Sequence, residues 1–267
     1  MPRTLTDIRG FMLDMDGTFY VSDQLMPHAK DLLDELEQRD IPFIFLTNNS
    51  SARAEDYRAK LARVGVEVSL DRILTSGQAT VRYLQRYTDH KKIFLLGTPA
   101  LEDEFLSAGF DLTSKSPDCV VLGFDKTLNY EKLKTACFLL ADGAPYVATH
   151  PDDTCITTEG LIPDIGSFMA AIERVVHRRP KIIGKPMPEM VEAALERIGT
   201  DAEHTAMVGD QLDTDMTMAK NSGLFGVLLM SGETSREQFE SQDDIQPDLV
   251  FDHIGGLYER IAALPIN

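Results

Sequence analysis

The chain has 267 residues, of which 43% are hydrophobic and 26% are charged, so it can form one large or two modest globular domains. Its formal net charge of −17 argues against a general binder of nucleic acid or of anionic membranes, because both partners require a basic face. No uncharged stretch approaches the ~20 residues that span a bilayer. The first residues also lack the apolar core of a signal peptide. We therefore expect a soluble protein that has no membrane partner.

The first part of the chain alternates short apolar runs with segments of helical period, which is typical of parallel α/β layers. A strand, a helix and a strand in succession form a right-handed crossover. The predicted elements are a strand at 10–14, a helix from Pro27, a strand at 41–47, and helices at 52–64 and 77–87.

The middle of the chain predicts a second α/β unit, and the first pattern resumes after Pro180. The middle elements are strands at 93–96, 120–122 and 146–148 and helices at 101–108 and 130–141. The later ones are strands at 181–183, 205–208 and 225–229 and helices at 189–198 and 213–222. We expect an α/β fold in which residues 1–76 and 181–267 form a Rossmann-like, doubly wound parallel sheet, and residues 77–180 form an inserted domain.

Three cysteines, Cys119, Cys137 and Cys155, are odd in number, widely spaced and largely surrounded by apolar residues. This pattern predicts reduced thiols rather than a disulfide framework or a zinc site. Because reduced thiols are typical of the cytoplasm, we expect a cytoplasmic protein.

Two carboxylates, Asp14 and Asp16, lie where the first buried strand ends, and Gly17 lets the backbone turn sharply after them. Carboxylates this close repel each other, so they need a bound cation, a shared proton or both. The pair suits metal-assisted chemistry with Asp14 as the nucleophile and Asp16 as the proton carrier. Taken alone, the segment is equally typical of a solvated acidic turn.

The second predicted strand of the chain ends in Thr47-Asn48-Asn49-Ser50. Its hydroxyls, amides and backbone N–H groups could hold phosphate oxygens near the following helix. The same residue types are also common helix caps, which is the simpler interpretation of this segment alone.

Two further strand ends carry charged residues. Lys185 lies on the turn after the strand at 181–183, and Asp210, Asp213 and Asp215 follow the strand at 205–208. A surface lysine and acidic helix caps would explain these residues separately. Four polar segments at equivalent ends of a sheet together indicate a site for phosphate and metal.

In this order, the four segments resemble the motifs of the haloacid dehalogenase (HAD) superfamily of phosphotransferases. The stretch Asp14-Met15-Asp16-Gly17-Thr18-Phe19-Tyr20, with Thr47-Asn48-Asn49-Ser50 and Gly184-Lys185-Pro186, is similar to its NagD/4-nitrophenylphosphatase-like subfamily. Members of that subfamily carry a class IIA cap, and residues 159–167 are similar to their segment from cap to core. The resemblance implies a HAD-like core with residues 77–180 as the cap.

The resemblance also implies roles for the core acids. Asp14 would attack phosphorus to form an aspartyl-phosphate, while Asp16 would protonate the leaving group and later deprotonate the hydrolytic water. Mg²⁺ would be held by side-chain oxygens of Asp14 and Asp210 and by the backbone carbonyl of Asp16. Asp213 and Asp215 would orient Lys185 or metal-bound waters rather than bind the metal.

Phosphate contacts are expected from the strand-end residues. Thr47, the N–H of Asn48 and Lys185 would bind the non-bridging phosphate oxygens, and Asn49 and Ser50 would form hydrogen bonds on the substrate side.

Substrate choice is expected to lie in the inserted domain, whose closure would exclude water and contact the leaving group. The candidate contacts are His150, Asp152, Cys155 and Asp164, although His150 is more typical of an ordinary loop histidine.

We expect a Mg²⁺-dependent phosphomonoesterase that acts on a small phosphorylated metabolite, with sugar phosphates among the candidates. Caps of the subfamily often form dimer contacts, so the resemblance also allows a homodimer. The alternatives are a phosphomutase, a dehalogenase, which Asp16, Lys185 and Asp210 disfavour, and a non-catalytic phospho-acceptor or phosphometabolite-binding protein.

Overall fold

A computed structural model of the protein describes residues 3–157 and 159–265. The strands, in chain order, are β1 (Gly10–Asp14), β2 (Tyr20–Val21), β3 (Gln24–Leu25), β4 (Phe43–Thr47), β5 (Ile73–Thr75), β6 (Ile93–Leu96), β7 (Cys119–Leu122), β8 (Tyr146–Ala148), β9 (Thr154–Thr157), β10 (Gly160–Pro163), β11 (Lys181–Ile182), β12 (Thr205–Gly209), β13 (Phe225–Leu229) and β14 (Leu249–Phe251). The α-helices are α1 (Ala29–Gln38), α2 (Ala54–Arg63), α3 (Ser76–Tyr87), α4 (Pro99–Ser107), α5 (Tyr130–Ala141), α6 (Ile165–Val176), α7 (Pro188–Ile198), α8 (Thr217–Ser222), α9 (Arg236–Glu240) and α10 (Ile254–Ala262).

The chain divides into two compact units. The first contains the residues up to Thr47, Tyr57–Leu74, and the residues from Met190 onward. The second contains Asn48–Asp56 and Thr75–Glu189. The sequence-based boundaries of the inserted domain, 77–180, stay a prediction.

The first unit is built on a six-stranded sheet in the order β14-β13-β12-β1-β4-β5. Strand β1 pairs in parallel with both β12 and β4, so that Leu13 lies opposite Val208 on one side and Phe45 on the other. All residues of β1, β4, β12 and β13 are buried, as expected for parallel strands that are covered on both faces. The predicted doubly wound parallel sheet is confirmed.

The strand order places a switch point next to β1. After β1 the chain continues to β4 on one side of the sheet, whereas β12 pairs on the other side. In open α/β sheets, ligands bind outside the carboxyl ends of the strands at such a point. Asp14 and Asp210, at the ends of β1 and β12, are therefore the residues that the topology presents to a ligand.

The second unit has its own four-stranded parallel sheet, in the order β11-β8-β7-β6, and a β9–β10 hairpin. Its core combines residues of β6, β7 and β8 with the buried faces of α5 and α6. The fully or nearly fully buried residues of this core are Leu96, Val120, Leu122, Phe124, Ala136, Cys137, Leu140, Tyr146, Ala148, Ile165 and Ile172.

Strand β11 differs from the sequence prediction. The sequence predicts that residues 181–183 return to the first α/β unit, but Lys181 and Ile182 pair in parallel with Val147 and Ala148 of the second sheet. That expectation is wrong, because a short β-branched run specifies a strand but not the sheet that it joins.

Helix starts in the second unit follow local capping chemistry. Thr98 accepts a hydrogen bond from the backbone N–H of Leu101, and Pro99 occupies the first helical turn of α4. Asn129 caps α5 in the same way by accepting from Lys132 N–H at 3.0 Å. These residues fix where each helix begins.

The helices of the described ranges are all too short or too polar to cross a membrane. Cys119 and Cys137 are buried free thiols, and Cys155 is half-buried.

Two phenylalanines of the second unit provide a matched test of its packing. Phe105 on α4 is fully buried, whereas Phe138 on α5 is 65% exposed. We expect Phe105→Ala to lower the free energy of unfolding by about 3–5 kcal/mol, because it removes a large buried ring and leaves a cavity. Phe138→Ala should change it by less than about 0.5 kcal/mol. Urea denaturation followed by far-UV circular dichroism measures both, and equal losses would contradict this packing.

Candidate active site

Three buried carboxylates of the first unit, those of Asp14, Asp210 and Asp215, form one cluster. Each offers an oxygen atom, and these three oxygen atoms lie within 4.8 Å of one another. Asp14 is the last residue of β1, and Asp210 directly follows β12, so the parallel pairing of the two strands explains why they meet. Carboxylate oxygens are hard donors of the kind that Mg²⁺ prefers. The donor set therefore fits a small divalent cation.

Asp210 is held by donors from two loops. The Thr18 hydroxyl donates to Asp210 Oδ1 at 2.8 Å, and the Glu233 backbone N–H donates to Oδ2 at 2.7 Å. The Thr234 N–H donates to the Asp210 carbonyl oxygen at 3.2 Å. Hydrogen bonds to an ionised acceptor are short and strong, so they fix the orientation of this carboxylate.

The loop after β13 also contacts the loop after β1. The Ser231 hydroxyl donates to the Gly17 carbonyl oxygen at 2.9 Å. The loop from Ser231 to Thr234 thus connects the backbone that follows Asp14 with the carboxylate of Asp210.

Glycines make the space that the carboxylates occupy. A Cβ atom on Gly17 would lie 2.6 Å from Asp210 Oδ2, and Gly17 has a φ of +86°, which favours glycine. A Cβ atom on Gly232 would overlap the Asp210 carboxylate, and one on Gly209 would overlap that of Asp215. A side chain at any of these positions would push on an acid of the cluster.

Asp215 lies closer to the other acids than the sequence suggested. The segment Leu212–Met216 is a π-helical turn, so the predicted single helix at 213–222 is in fact this turn followed by α8. Asp215 is fully buried, and the Gln211 N–H donates to its Oδ2 at 3.2 Å. Asp213, in the same turn, is exposed and lies outside the cluster of three.

The signal that could have distinguished these two acids is helical spacing. Side chains of a helix point toward its N-terminus, so the residue one turn into this segment is directed back at the strand end. Asp215 is four residues after Gln211, whose carbonyl oxygen accepts the Asp215 N–H at 3.1 Å.

Asp16 is in a different environment from Asp14. Its side chain is 59% exposed, whereas Asp14 is 7% exposed. Lys60 Nζ lies 3.2 Å from Asp16 Oδ1, and the Tyr20 hydroxyl lies 3.4 Å from Oδ2. Burial and the charge of Asp16 raise the pKa of Tyr20, so its phenol keeps its proton and donates. The sequence did not predict the contact with Lys60.

In the second unit, the side chain of Asn48 pairs with the backbone of Lys185. Its Oδ1 accepts the Lys185 N–H at 2.8 Å, and its Nδ2 donates to the Lys185 carbonyl oxygen at 3.0 Å. The same Nδ2 lies 3.1 and 3.2 Å from the two carboxylate oxygens of Asp152. A Cβ atom on Gly184 would lie 2.7 Å from Asn48 Oδ1, so this approach also requires glycine. Lys185 is buried at this position.

The side chains of Asn49 and Ser50, which follow Asn48, form hydrogen bonds within the second unit. Asn49 Oδ1 accepts from the N–H of Ser51 at 2.9 Å and from its hydroxyl at 2.7 Å. Ser50 is buried, and its hydroxyl contacts Thr149 Oγ1 at 2.9 Å and accepts the Phe124 N–H at 2.9 Å. Thr47, the last residue of β4, is buried. Substrate contacts by these residues stay predictions.

Three of the candidate specificity residues lie in a polar group of the second unit. His150 is fully buried, with Nε2 3.1 Å from Asp164 Oδ1 and Nδ1 3.0 Å from Thr149 Oγ1. Asp164 also accepts the N–H of Ile165 at the start of α6. Burial raises the pKa of the Asp152 carboxyl, against the opposing charges of His150 and Lys185. Cys155 lies on β9 and packs against the hydrophobic core of the second unit.

Comparison with known proteins identifies the family of the chain. Residues 11–111 match the model of the haloacid dehalogenase-like hydrolases, and residues 182–257 match a HAD-hydrolase-like model. The chain is 36% identical to the dihydroxyacetone phosphatase of Corynebacterium glutamicum, over 83% of this chain and 81% of that enzyme. It is 32% identical to the ribonucleotide monophosphatase NagD of Escherichia coli, over 88% and 92% of the two chains.

A solved structure extends the similarity to the fold. The 4-nitrophenylphosphatase from Thermotoga maritima superposes with a TM-score of 0.92 at 46% identity, covering 96% of this chain and 98% of that one. The chain therefore belongs to the haloacid dehalogenase-like hydrolases. Within that family it is a phosphatase of the NagD-like group, which confirms the resemblance found in the motifs.

The space beside Asp210 can be tested with two glycine variants of the first unit. Gly232→Ala should lower the kcat for 4-nitrophenyl phosphate at least about 10-fold, because its Cβ would displace the Asp210 carboxylate. In Gly226→Ala on β13, the nearest atom, Met216 Sδ, lies 3.4 Å from the added Cβ, so activity should stay close to wild type. Circular dichroism checks that both variants fold, and an active Gly232→Ala would contradict this geometry.

Proposed function

We propose that this phosphatase is a Mg²⁺-dependent phosphomonoesterase that hydrolyses a small phosphorylated metabolite through an aspartyl-phosphate intermediate. The observation that carries the proposal is the contrast between Asp14 and Asp16. Asp14 is buried in the acidic cluster, whereas Asp16 is exposed and contacts a lysine and a protonated phenol. Two carboxylates in such different environments suit two chemical roles.

In the first half-reaction, Asp14 attacks phosphorus and the ester P–O bond breaks. The electron pair stays on the leaving oxygen, which takes a proton from Asp16. In the second half-reaction, a water oxygen bonds to phosphorus while the bond to Asp14 breaks. The proton of that water returns to Asp16, so phosphate leaves and both acids are regenerated.

Thr47, the N–H of Asn48 and Lys185 are proposed as ligands of the non-bridging phosphate oxygens. Asn49 and Ser50 are proposed as substrate-side contacts. The Ser50 hydroxyl already forms hydrogen bonds with Thr149 and Phe124. The reciprocal pairing of the Asn48 side chain with the Lys185 backbone supports a fixed position for that lysine. A preorganised positive charge favours phosphoryl transfer because charge builds up on these oxygens.

Mg²⁺ would be held by the carboxylates of Asp14 and Asp210 and by the backbone carbonyl of Asp16, with Asp215 either a further ligand or an orienting group. When bound, the ion would neutralise charge on the phosphoryl oxygens. The repulsion among three buried carboxylates supports a cation at this position.

The inserted domain, residues 77–180, is proposed as a class IIA cap that sets the substrate. The relatives include a dihydroxyacetone phosphatase, a ribonucleotide monophosphatase and an acid sugar phosphatase, which supports small phosphomonoesters as the substrate class. A metabolite panel ranked by kcat/KM would identify the substrate. A cytoplasmic location and a homodimer are further proposals, the first supported by the free thiols of Cys119 and Cys137.

The metal assignment can be tested with three asparagine substitutions in one segment. Asp210→Asn should weaken Mg²⁺ binding at least about 10-fold, because it removes a charged donor from the cluster. Asp213→Asn is the matched control, because Asp213 is exposed. Isothermal titration calorimetry with Mg²⁺ alone measures the affinities, and Asp215→Asn distinguishes a ligand from an orienting group. Unchanged affinity in Asp210→Asn would contradict the assignment.

The two roles of the first acidic motif can be separated by trapping the intermediate. Asp14→Asn should lower turnover by at least about 10³-fold, the scale on which the loss of a nucleophile acts. Asp16→Asn should lower turnover about 10²–10⁴-fold and accumulate phosphoenzyme, because hydrolysis of the intermediate lacks its base. Intact-protein mass spectrometry after mixing with 4-nitrophenyl phosphate detects the phosphoryl group. Near-wild-type turnover by Asp14→Asn would contradict the covalent mechanism.

A further inference from the structure

Lys60 of the first unit contacts the exposed carboxylate of Asp16 from the neighbouring helix. It lies on α2, and its Nζ is 3.2 Å from Asp16 Oδ1. The same Nζ is 3.9 Å from the centroid of the Tyr20 ring, within the range of a cation–π contact. The lysine side chain is 23% exposed, so its stem is largely packed.

Tyr20 contacts the other oxygen of the same carboxylate. Its hydroxyl lies 3.4 Å from Asp16 Oδ2, and the residue is fully buried. Its backbone is fixed relative to the acidic motif, because the Gly17 N–H donates to the Tyr20 carbonyl oxygen at 2.9 Å. The two oxygens of Asp16 therefore face two different donors, each carried by a packed part of the unit.

An ordinary surface ion pair would lack these features. Exposed ion pairs contribute little to stability, because two long side chains lose rotamer freedom when they form the pair. Here the lysine is held against a buried ring, so much of that freedom is already lost through packing. An exposed aspartate has several staggered rotamers, and the two contacts favour one of them.

We propose that Lys60, supported by Tyr20, is a positioning residue that orients the Asp16 carboxylate for proton transfer to the leaving group. The proposal rests on the proton-carrier role of Asp16 in the proposed function. General acid catalysis requires a heavy-atom distance of about 2.6–3.2 Å to the accepting oxygen, so a freely rotating carboxylate is in position only part of the time. Lys60 itself does not contact the reacting atoms.

A positioning role affects substrates according to their leaving groups. The kcat/KM value covers the steps up to leaving-group departure and is independent of phosphoenzyme hydrolysis. 4-Nitrophenolate departs easily without a proton, whereas phenolate needs protonation far more. Loss of Lys60 should therefore reduce kcat/KM for phenyl phosphate more than for 4-nitrophenyl phosphate.

The experiment compares these two substrates in Lys60→Met, which keeps the unbranched stem over the Tyr20 ring but removes the charge. We expect kcat/KM to fall about 10-fold for phenyl phosphate and less than about 3-fold for 4-nitrophenyl phosphate, a fraction of the full general-acid effect. Lys60→Arg should restore the wild-type ratio of the two values. Arg63→Met, which removes an exposed charge from the same helix, is the control and should leave both values unchanged.

Asp16→Asn separates failure of this inference from failure of the proposed function. If Asp16→Asn shifts the substrate ratio but Lys60→Met does not, Lys60 has no positioning role and the proton-carrier assignment stands. An equal loss on both substrates in Lys60→Met would also overturn the proposal, because it indicates a general structural role. If Asp16→Asn leaves the ratio unchanged, the proton-carrier role fails and the positioning role falls with it. Circular dichroism confirms that each variant folds.

Discussion

The burial of three carboxylates at one end of a parallel sheet is the constraint on which the first unit depends. The oxygens of Asp14, Asp210 and Asp215 lie within 4.8 Å, where like charges repel strongly because little water screens them. Such a cluster needs donors that lower its energy in the folded state. The Thr18 hydroxyl and the Glu233 N–H supply two of them, so loops distant in sequence are tied to one carboxylate.

The sheet topology explains why the acids meet although they are far apart in the chain. Strands β1 and β12 are neighbours with Leu13 opposite Val208, so the residues that follow them emerge side by side. The absence of side chains at Gly17 and Gly232 then leaves room for the Asp210 carboxylate. Strand pairing brings the charges together, and backbone sterics decide how closely they approach.

Much of the fold and part of the site were predictable from the sequence, for identifiable reasons. Strand β1 and helix α5 have the predicted bounds, because apolar runs and caps are local signals. The partner sheet of β11 was not predictable, because a strand of only two residues, Lys181 and Ile182, does not encode which neighbour it joins. The contact of Lys60 with Asp16 was equally hidden, since a lysine on a polar helix usually faces solvent.

Asn48 shows how one position carries two kinds of information. The sequence motif pointed to its backbone N–H as a phosphate donor, whereas its side chain pairs with both peptide groups of Lys185. A carboxamide can do this because it presents one donor and one acceptor, as a peptide does. Aspartate would offer two acceptors and would face the carboxylate of Asp152, and serine has too short a reach for both bonds. The two hydrogen bonds to the Lys185 backbone therefore require a carboxamide at position 48, independently of what the backbone N–H of Asn48 binds.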